Sequence, residues 1–291
     1  MVRSPRRGVV MNRRLVLVFR SVVSGVSDHE LLTRAAALAF YTAFSFAPVL
    51  LLLFWLFSII QPDWDQQLVT TLSGIMGSQA STVAELVIQT AQTNPRLRHL
   101  YGGIGLVITA FSGLAVFTQM QQSLNHVWNV KPVPKKAIAG WLLARARAFA
   151  LLIGIAFLMI VSFSATAIVD VLIPSGSTGW KVMEEVVGAL LLIVAFGAMY
   201  RILPDASIAW IDAANGALLT TLLFMAGKFV ISLYVAHSSV SGIYGPASAL
   251  MLLLVWAYYA STIVLIGAEL THGLSASRGR PEKPKEYAQA E

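Results

Sequence analysis

The chain of 291 residues contains no cysteine. That absence excludes disulfides, thiolate zinc sites, iron–sulfur clusters and a cysteine nucleophile. Charge is scarce as well. Asp, Glu, Lys and Arg make up 12% of the residues, where soluble globular domains carry about 25%. Hydrophobic residues reach 57% and the mean hydropathy is +0.72. Such a composition points to lipid. The charge that remains is unbalanced, with a formal net of +7 and a pI near 9.8. In a soluble protein this excess would suggest nucleic acid. Here the cations flank long apolar runs, which points to a membrane surface and to no nucleic-acid partner.

Spanning a bilayer takes about 20 mostly apolar residues in a helix. Six segments meet that length: Ala35–Ile60, Tyr101–Gln121, Phe149–Ile173, Val182–Leu203, Ala213–Ala236 and Ala247–Thr271. The basic stretch "MVRSPRRGVVMNRRLVLVFR" before them holds an apolar run, Leu15 to Phe19, too short for a signal peptide, so it is expected to be retained. Lys and Arg then fix an orientation. Of the 21 such residues, seventeen fall in the N-terminal segment, in residues 129–147, at Arg201 and in the C-terminal tail. Only Arg96, Arg98 and Lys181 fall on the opposite side, and Lys228 is the remaining one. The bias predicts that both termini are cytoplasmic.

The expected fold is therefore all-α, an integral membrane bundle of six transmembrane helices, N-in and C-in. Residues 1–34 form a basic cytoplasmic segment, 35–272 the six-helix domain and 273–291 a disordered cytoplasmic tail, polar and containing proline. Between the first two spans, residues 61–100 show helical apolar spacing at Leu68, Leu72, Ile75 and Met76, which predicts an outer amphipathic segment.

Within the first span, Ala35, Ala39, Ala43 and Ala47 recur every four residues and predict close packing of helices in lipid. Pro48 near mid-span cannot donate to the carbonyl of Phe44. Tyr41 and Ser45 in the preceding turns could satisfy freed backbone or face a cavity. Asp170, Glu184, Glu185, Arg201, Lys228 and Glu269 are the charges inside the spans. All but Lys228 lie near a predicted helix end, where reaching for water is cheap. Lys228, in "LLFMAGKFVISLYV", should face the bundle interior with an outer-half carboxylate, Asp170 first and Glu185 second. On the inner side, Glu269 lies at a depth similar to Arg201 and Arg34, which predicts charge pairing among them. The five histidines (His29, His99, His126, His237, His272) are scattered over loops on both sides, with no H-x-H or HExxH spacing, and His126 reads as a capping residue. No metal site, cofactor or catalytic residue is expected.

Several stretches then agree in order and spacing: "ALAFYTAFSFAPVLLLL", "SLNHVWNV", "YRILPDASIAW", "SLYV" after Lys228, and "IYGPASALMLLLVWAYYASTIVLIGAEL". Together they resemble the YihY/virulence factor BrkB family of bacterial inner-membrane proteins, formerly labelled ribonuclease BN, from about Arg34 to Thr271. The chain departs from the family's habit of Trp-Arg at Trp210-Ile211 and of a Gly-rich turn at Tyr244–Ser248. The resemblance implies a multi-pass inner-membrane protein and supplies no catalytic residues.

The expected function is that of a transporter or permease for a small solute, with anions the class Lys228 would attract. Its path would run near Pro48, Lys228, Tyr258, Tyr259, Ser261 and Thr262. The alternative is a non-transporting envelope protein that scaffolds partners or organises lipid. An enzyme, and a nuclease in particular, is disfavoured because no cluster of carboxylate or imidazole ligands accompanies the scattered acids Asp205, Asp212 and Glu269. The partners expected are the lipid bilayer and an unknown small solute, and a homo-oligomer is compatible with the sequence.

Overall fold

The computed structural model describes residues 22–60, 70, 104–133, 142–143, 145–147, 150, 153–154, 158, 178–237, 247–278, 283–285 and 288–290. Five long helices dominate: α1 (Leu31–Ile60), α2 (Ile104–Val127), α3 (Thr178–Ile202), α4 (Trp210–His237) and α5 (Ala247–Ser277). Each has 24 to 31 residues. At 1.5 Å per residue they reach about 36–46 Å, longer than a hydrocarbon core of about 30 Å. Among the described residues, three stretches are long and apolar enough to cross a membrane: Glu185–Ile202, Trp210–Ile231 and Leu250–Ser277. They belong to the expected fourth, fifth and sixth spans. Most of the expected third span, with Asp170, and nearly all of the outer segment 61–100 lie outside the described residues.

The share of each stretch buried by protein rises from 11% in α3 to 28% in α4 and 39% in α5, which makes α5 the central helix of the three. It packs against α1 on one side and α4 on another, while α2 packs on α1 and α3 on α4. Small residues permit these approaches. On α1, Ala35 and Ala39 are buried and Ala43 packs beside Leu253 of α5. Phe40 and Phe44 stand exposed on the opposite face. The alanine stripe thus joins helices and the phenylalanines meet the surroundings. Between α4 and α5 glycines take that role. A Cβ on Gly216 would stand 1.7 Å from the Thr271 hydroxyl oxygen, and one on Gly267 would stand 1.9 Å from that of Thr220.

Hydroxyls inside such helices need partners, because lipid offers none. Ser45, Thr220, Thr262 and Thr271 each donate to a carbonyl one turn earlier in their own helix. Asn129 ends α2 with φ of 50°, a left-handed conformation that asparagine adopts more readily than most residues.

One end of the bundle is polar and interlocked. There β1 (Val130–Pro132) follows α2, and β2 (Ala206–Ser207) lies in the turn between α3 and α4. The segment after α5 contributes β3 (Lys283–Pro284) and β4 (Ala288–Ala290). β4 pairs antiparallel with β1, and β3 with β2. The described residues are mostly helical, as expected, and residues 283–285 and 288–290 of the tail add short strand pairings that composition did not suggest. Composition registers only that the segment cannot bury an apolar core. It does not register that two turns leave open strand edges, whose unpaired amides and carbonyls an extended segment can satisfy.

Candidate functional site

Glu269 sits on α5 two turns before its end and is 1% exposed. The helical stretch 22–28 lies across it at Gly25. A Cβ there would stand 2.1 Å from Glu269 Oε1, so the backbone comes as close as a side-chain-free residue allows. The next turn presents His29, whose Nδ1 is 2.9 Å from Glu269 Oε2. His272, one turn further along α5, places Nδ1 3.9 Å from Oε1. The ring of His126 at the end of α2 meets the His29 ring edge-on, with centroids 5.5 Å apart at 74°. Histidines expected to be scattered thus gather here: His29 and His272 face one carboxylate and His126 packs on His29.

The pairing expected of Glu269 with Arg201 and Arg34 does not form. Arg34 Nε donates to the backbone carbonyl of His29 at 3.1 Å. The Arg201 guanidinium lies 5.6 Å over the Trp210 ring. Sequence position fixes depth along a helix and leaves rotation about its axis open, and here rotation decides. One signal was available: Glu269 and His272 are spaced i, i+3, which puts both on one helix face.

Two further carboxylates are buried at this end. Asp212, in the first turn of α4, is fully buried and paired with Arg278 through Oδ1. Asp205, in the turn after α3, is a hub. It accepts from Asn125 Nδ2 at 2.8 Å, from Gln121 Nε2 at 3.2 Å and from Arg147 Nη1 at 3.1 Å. Its own amide donates to Asn125 Oδ1 at 2.8 Å. Its carbonyl accepts from the Lys285 amide at 2.9 Å, and Lys285 Nζ donates to the Pro204 carbonyl at 2.6 Å. Burial above all, with Arg147 and Arg201 nearby, pushes the Lys285 ammonium down to about 8, against an opposing pull from Asp205. Among the described residues no group of three or more His, Asp or Glu is arranged to hold a metal ion.

Above this end runs a seam of hydroxyls between α3, α4 and α5. The Tyr200 hydroxyl is 2.9 Å from Thr220 Oγ1 and donates to the Val264 carbonyl at 2.8 Å. Thr221 Oγ1 is buried with no hydrogen-bond partner among the described residues. Higher up, the Tyr259 hydroxyl donates to the Phe224 carbonyl at 2.6 Å. Phe224 also packs against Phe196 and Trp256, so it ties the three helices together.

The residues expected to line a path divide into two groups. Lys228 pairs with Glu185 at 3.8 Å, near Tyr259 on α5. Its side chain is 36% exposed and that of Glu185 58%, so the ammonium is at the side of the bundle and not enclosed by it. Tyr258 is partly exposed too. Tyr41, Ser45 and Pro48 lie on α1, which packs on α5 and α2. Ser45 and Thr262 already donate to backbone of their own helices, and Ser261 is buried.

Comparison with known proteins decides the lineage. The family described as Virulence factor BrkB matches residues 22–291. The chain belongs to the BrkB family. A UPF0761 membrane protein of Azotobacter vinelandii is 30% identical over 251 residues, 84% of this chain and 60% of the relative. One of Chlorobium luteolum is 27% identical over 274 residues, 89% of this chain and 61% of the relative. This BrkB-family chain therefore spans about 60% of the length of the relatives it matches. No solved structure matches it. The relatives' description and the three apolar helices agree that it is a membrane protein.

Proposed function

We propose that this BrkB-family protein is a transporter or permease for a small polar solute in a bacterial cytoplasmic membrane. In this reading six helices span the bilayer, both termini are cytoplasmic, and no chemical turnover or cofactor is involved. The observation that carries it is Glu269, a carboxylate 1% exposed inside an apolar helix. A carboxylate buried in protein is costly unless it is partnered, so a buried ionisable group is a candidate station for a solute or an ion.

The path we favour follows the α4–α5 seam from Tyr259 past Thr221, Thr220 and Tyr200 to Thr271 and Glu269. An anionic solute was motivated by Lys228 alone, and Glu185 already balances that charge. A polar neutral or cationic solute fits the hydroxyls and the carboxylate better.

The test is vectorial uptake by proteoliposomes of purified protein, screened with labelled sugars, amino acids, nucleosides and organic acids. Uptake above protein-free vesicles, reduced by Thr221→Leu in folded protein, supports the reading. If no solute moves in either orientation, the protein is a non-transporting envelope component that scaffolds partners or organises lipid. Cysteine labelling from each side checks the orientation: residues 204–212 should react from the cytoplasm and 238–246 from outside.

A further inference from the structure

We propose that Glu269 and His29, with His126 and His272 around them, form a proton-binding site. Given the transporter reading above, on which this part rests, its proton is the coupling ion. The site is built rather than incidental. Gly25 lets a helix backbone reach the carboxylate, His29 Nδ1 stands 2.9 Å from Oε2, and His272 Nδ1 lies 3.9 Å from Oε1. Exposure is graded across it. The Glu269 side chain is 2% exposed, that of His29 14% and that of His272 24%, so the imidazoles are the entrance and the carboxylate the interior station.

The proton inventory closes at the His29 ring. A proton arriving from water binds Nε2, and the proton on Nδ1 passes to Glu269 Oε2, leaving a neutral imidazole and a neutral acid. Release reverses the two transfers. Imidazole is the side chain suited to proton exchange near neutral pH, and Nδ1 at 2.9 Å from Oε2 lets the proton pass without rearrangement.

No other charge among the described residues neutralises the site from a neighbouring element. On α1, Arg34 is engaged by the His29 carbonyl. Asp28 and Glu30, beside His29, are exposed. On α4, Asp212 is engaged by Arg278. On α3, Arg201 lies over Trp210. From α2 only the His126 ring reaches the site. Protonation therefore changes the net charge of a buried cluster, and with it the attraction that holds residues 22–29 against α5.

The full chain in lipid nanodiscs, with 15N-labelled histidine, tests this between pH 5 and 8.5. His29 and His126 signals, assigned through His29→Gln and His126→Gln, should titrate on linked curves. Glu269→Gln should move the His29 midpoint, because it removes the group that shares the proton. Glu269→Asp should restore part of that shift, which a merely structural contact would not do. A His29 midpoint unmoved by Glu269→Gln overturns the site. Should Glu269→Gln fail to fold, dicyclohexylcarbodiimide labelling of wild-type protein replaces it, since the reagent attacks protonated buried carboxyls. Glu269 should be modified at pH 6 and protected at pH 8.5, and labelling indifferent to pH overturns the site. The transport reading fails separately. Linked titration in a protein that moves no solute leaves the proton site standing and removes the coupling. Uptake whose pH dependence survives Glu269→Gln shows another residue to be the coupling group.

Discussion

Gly227 of α4 lies directly beneath the phenol of Tyr259 on α5: a Cβ on the glycine would stand 2.3 Å from the hydroxyl oxygen and 2.4 Å from the ring. The ring is rigid and is held by its bond to the Phe224 carbonyl and by the Phe224 ring, with centroids 5.9 Å apart. Gly227→Ala therefore has to push α4 and α5 apart. We expect a loss of roughly 1–3 kcal/mol, the usual range for overpacking, seen as a lower melting temperature in detergent. Combining it with Tyr259→Ala should recover part of the loss. A Gly227→Ala protein as stable as wild type would show that the two helices slide easily.

Asp205 gathers donors from α2, from Arg147 and from the segment after α5. Asp205→Asn removes the charge opposite Arg147 and leaves that guanidinium partly buried. Breaking one partner of a buried pair typically costs about 3–5 kcal/mol, and the partial exposure of Arg147 places the expected loss at or below the low end. Asp205→Asn combined with Arg147→Met should lie closer to wild type than Asp205→Asn alone. Thermal unfolding of the four proteins of that cycle, followed by fluorescence, measures the coupling.

Much of this was legible in the sequence, and the limit is physical. Hydropathy located the five described helices, because each is long enough to register singly, but two run on past their expected ends, to Val127 and to Ser277. The alanine spacing on α1 showed which face would be packed. For Lys228 the expected partners were Asp170 first, which lies outside the described residues, and Glu185 second, which stands 3.8 Å away on an exposed side of the bundle rather than in its interior. What escaped depends on rotation and on long-range contact. His29 and Glu269 are 240 residues apart, and nothing local to either announces the other. The glycine recesses at 216, 227 and 267 look like ordinary breaks in apolar runs until a neighbouring helix fills them.

The strand pairs at the polar end make a prediction about pH. Lys285 is charged less readily in place than in the unfolded chain, with its value lowered from 10.5 to about 8. The unfolded segment therefore binds more protons between those values, and docking strengthens as pH rises through that window. Below about pH 8 the ammonium is charged in both states and the desolvation penalty is fully felt. Spin labels at Asn129 and Gln289, flanking β1 and on β4, should give a narrower distance distribution at pH 10 than at pH 7.5. Lys285→Met should remove that pH dependence. A distribution broadening toward high pH in wild type would reverse the sign and contradict the burial argument.

Lys228 and Glu185 test whether the outer charges belong to a path. Their separation of 3.8 Å is at the long end for an ion pair, and both side chains are more than a third exposed. In water such a pair contributes about 0–1 kcal/mol. In detergent, whose headgroups and water reach this face, Lys228→Met should accordingly change stability little, as should Glu185→Gln. A buried structural pair would behave differently: the single change would destabilise by several kcal/mol and the double change would recover it. In a bilayer the two charges stay close because neither finds water sideways. Uptake along the α4–α5 seam does not require either charge. Lys228→Met should therefore keep at least half of wild-type uptake, while Thr221→Leu loses most of it. The reverse ranking would move the path outward, to the exposed side of the bundle where Lys228 and Glu185 lie, and would restore the anionic solute as the better candidate.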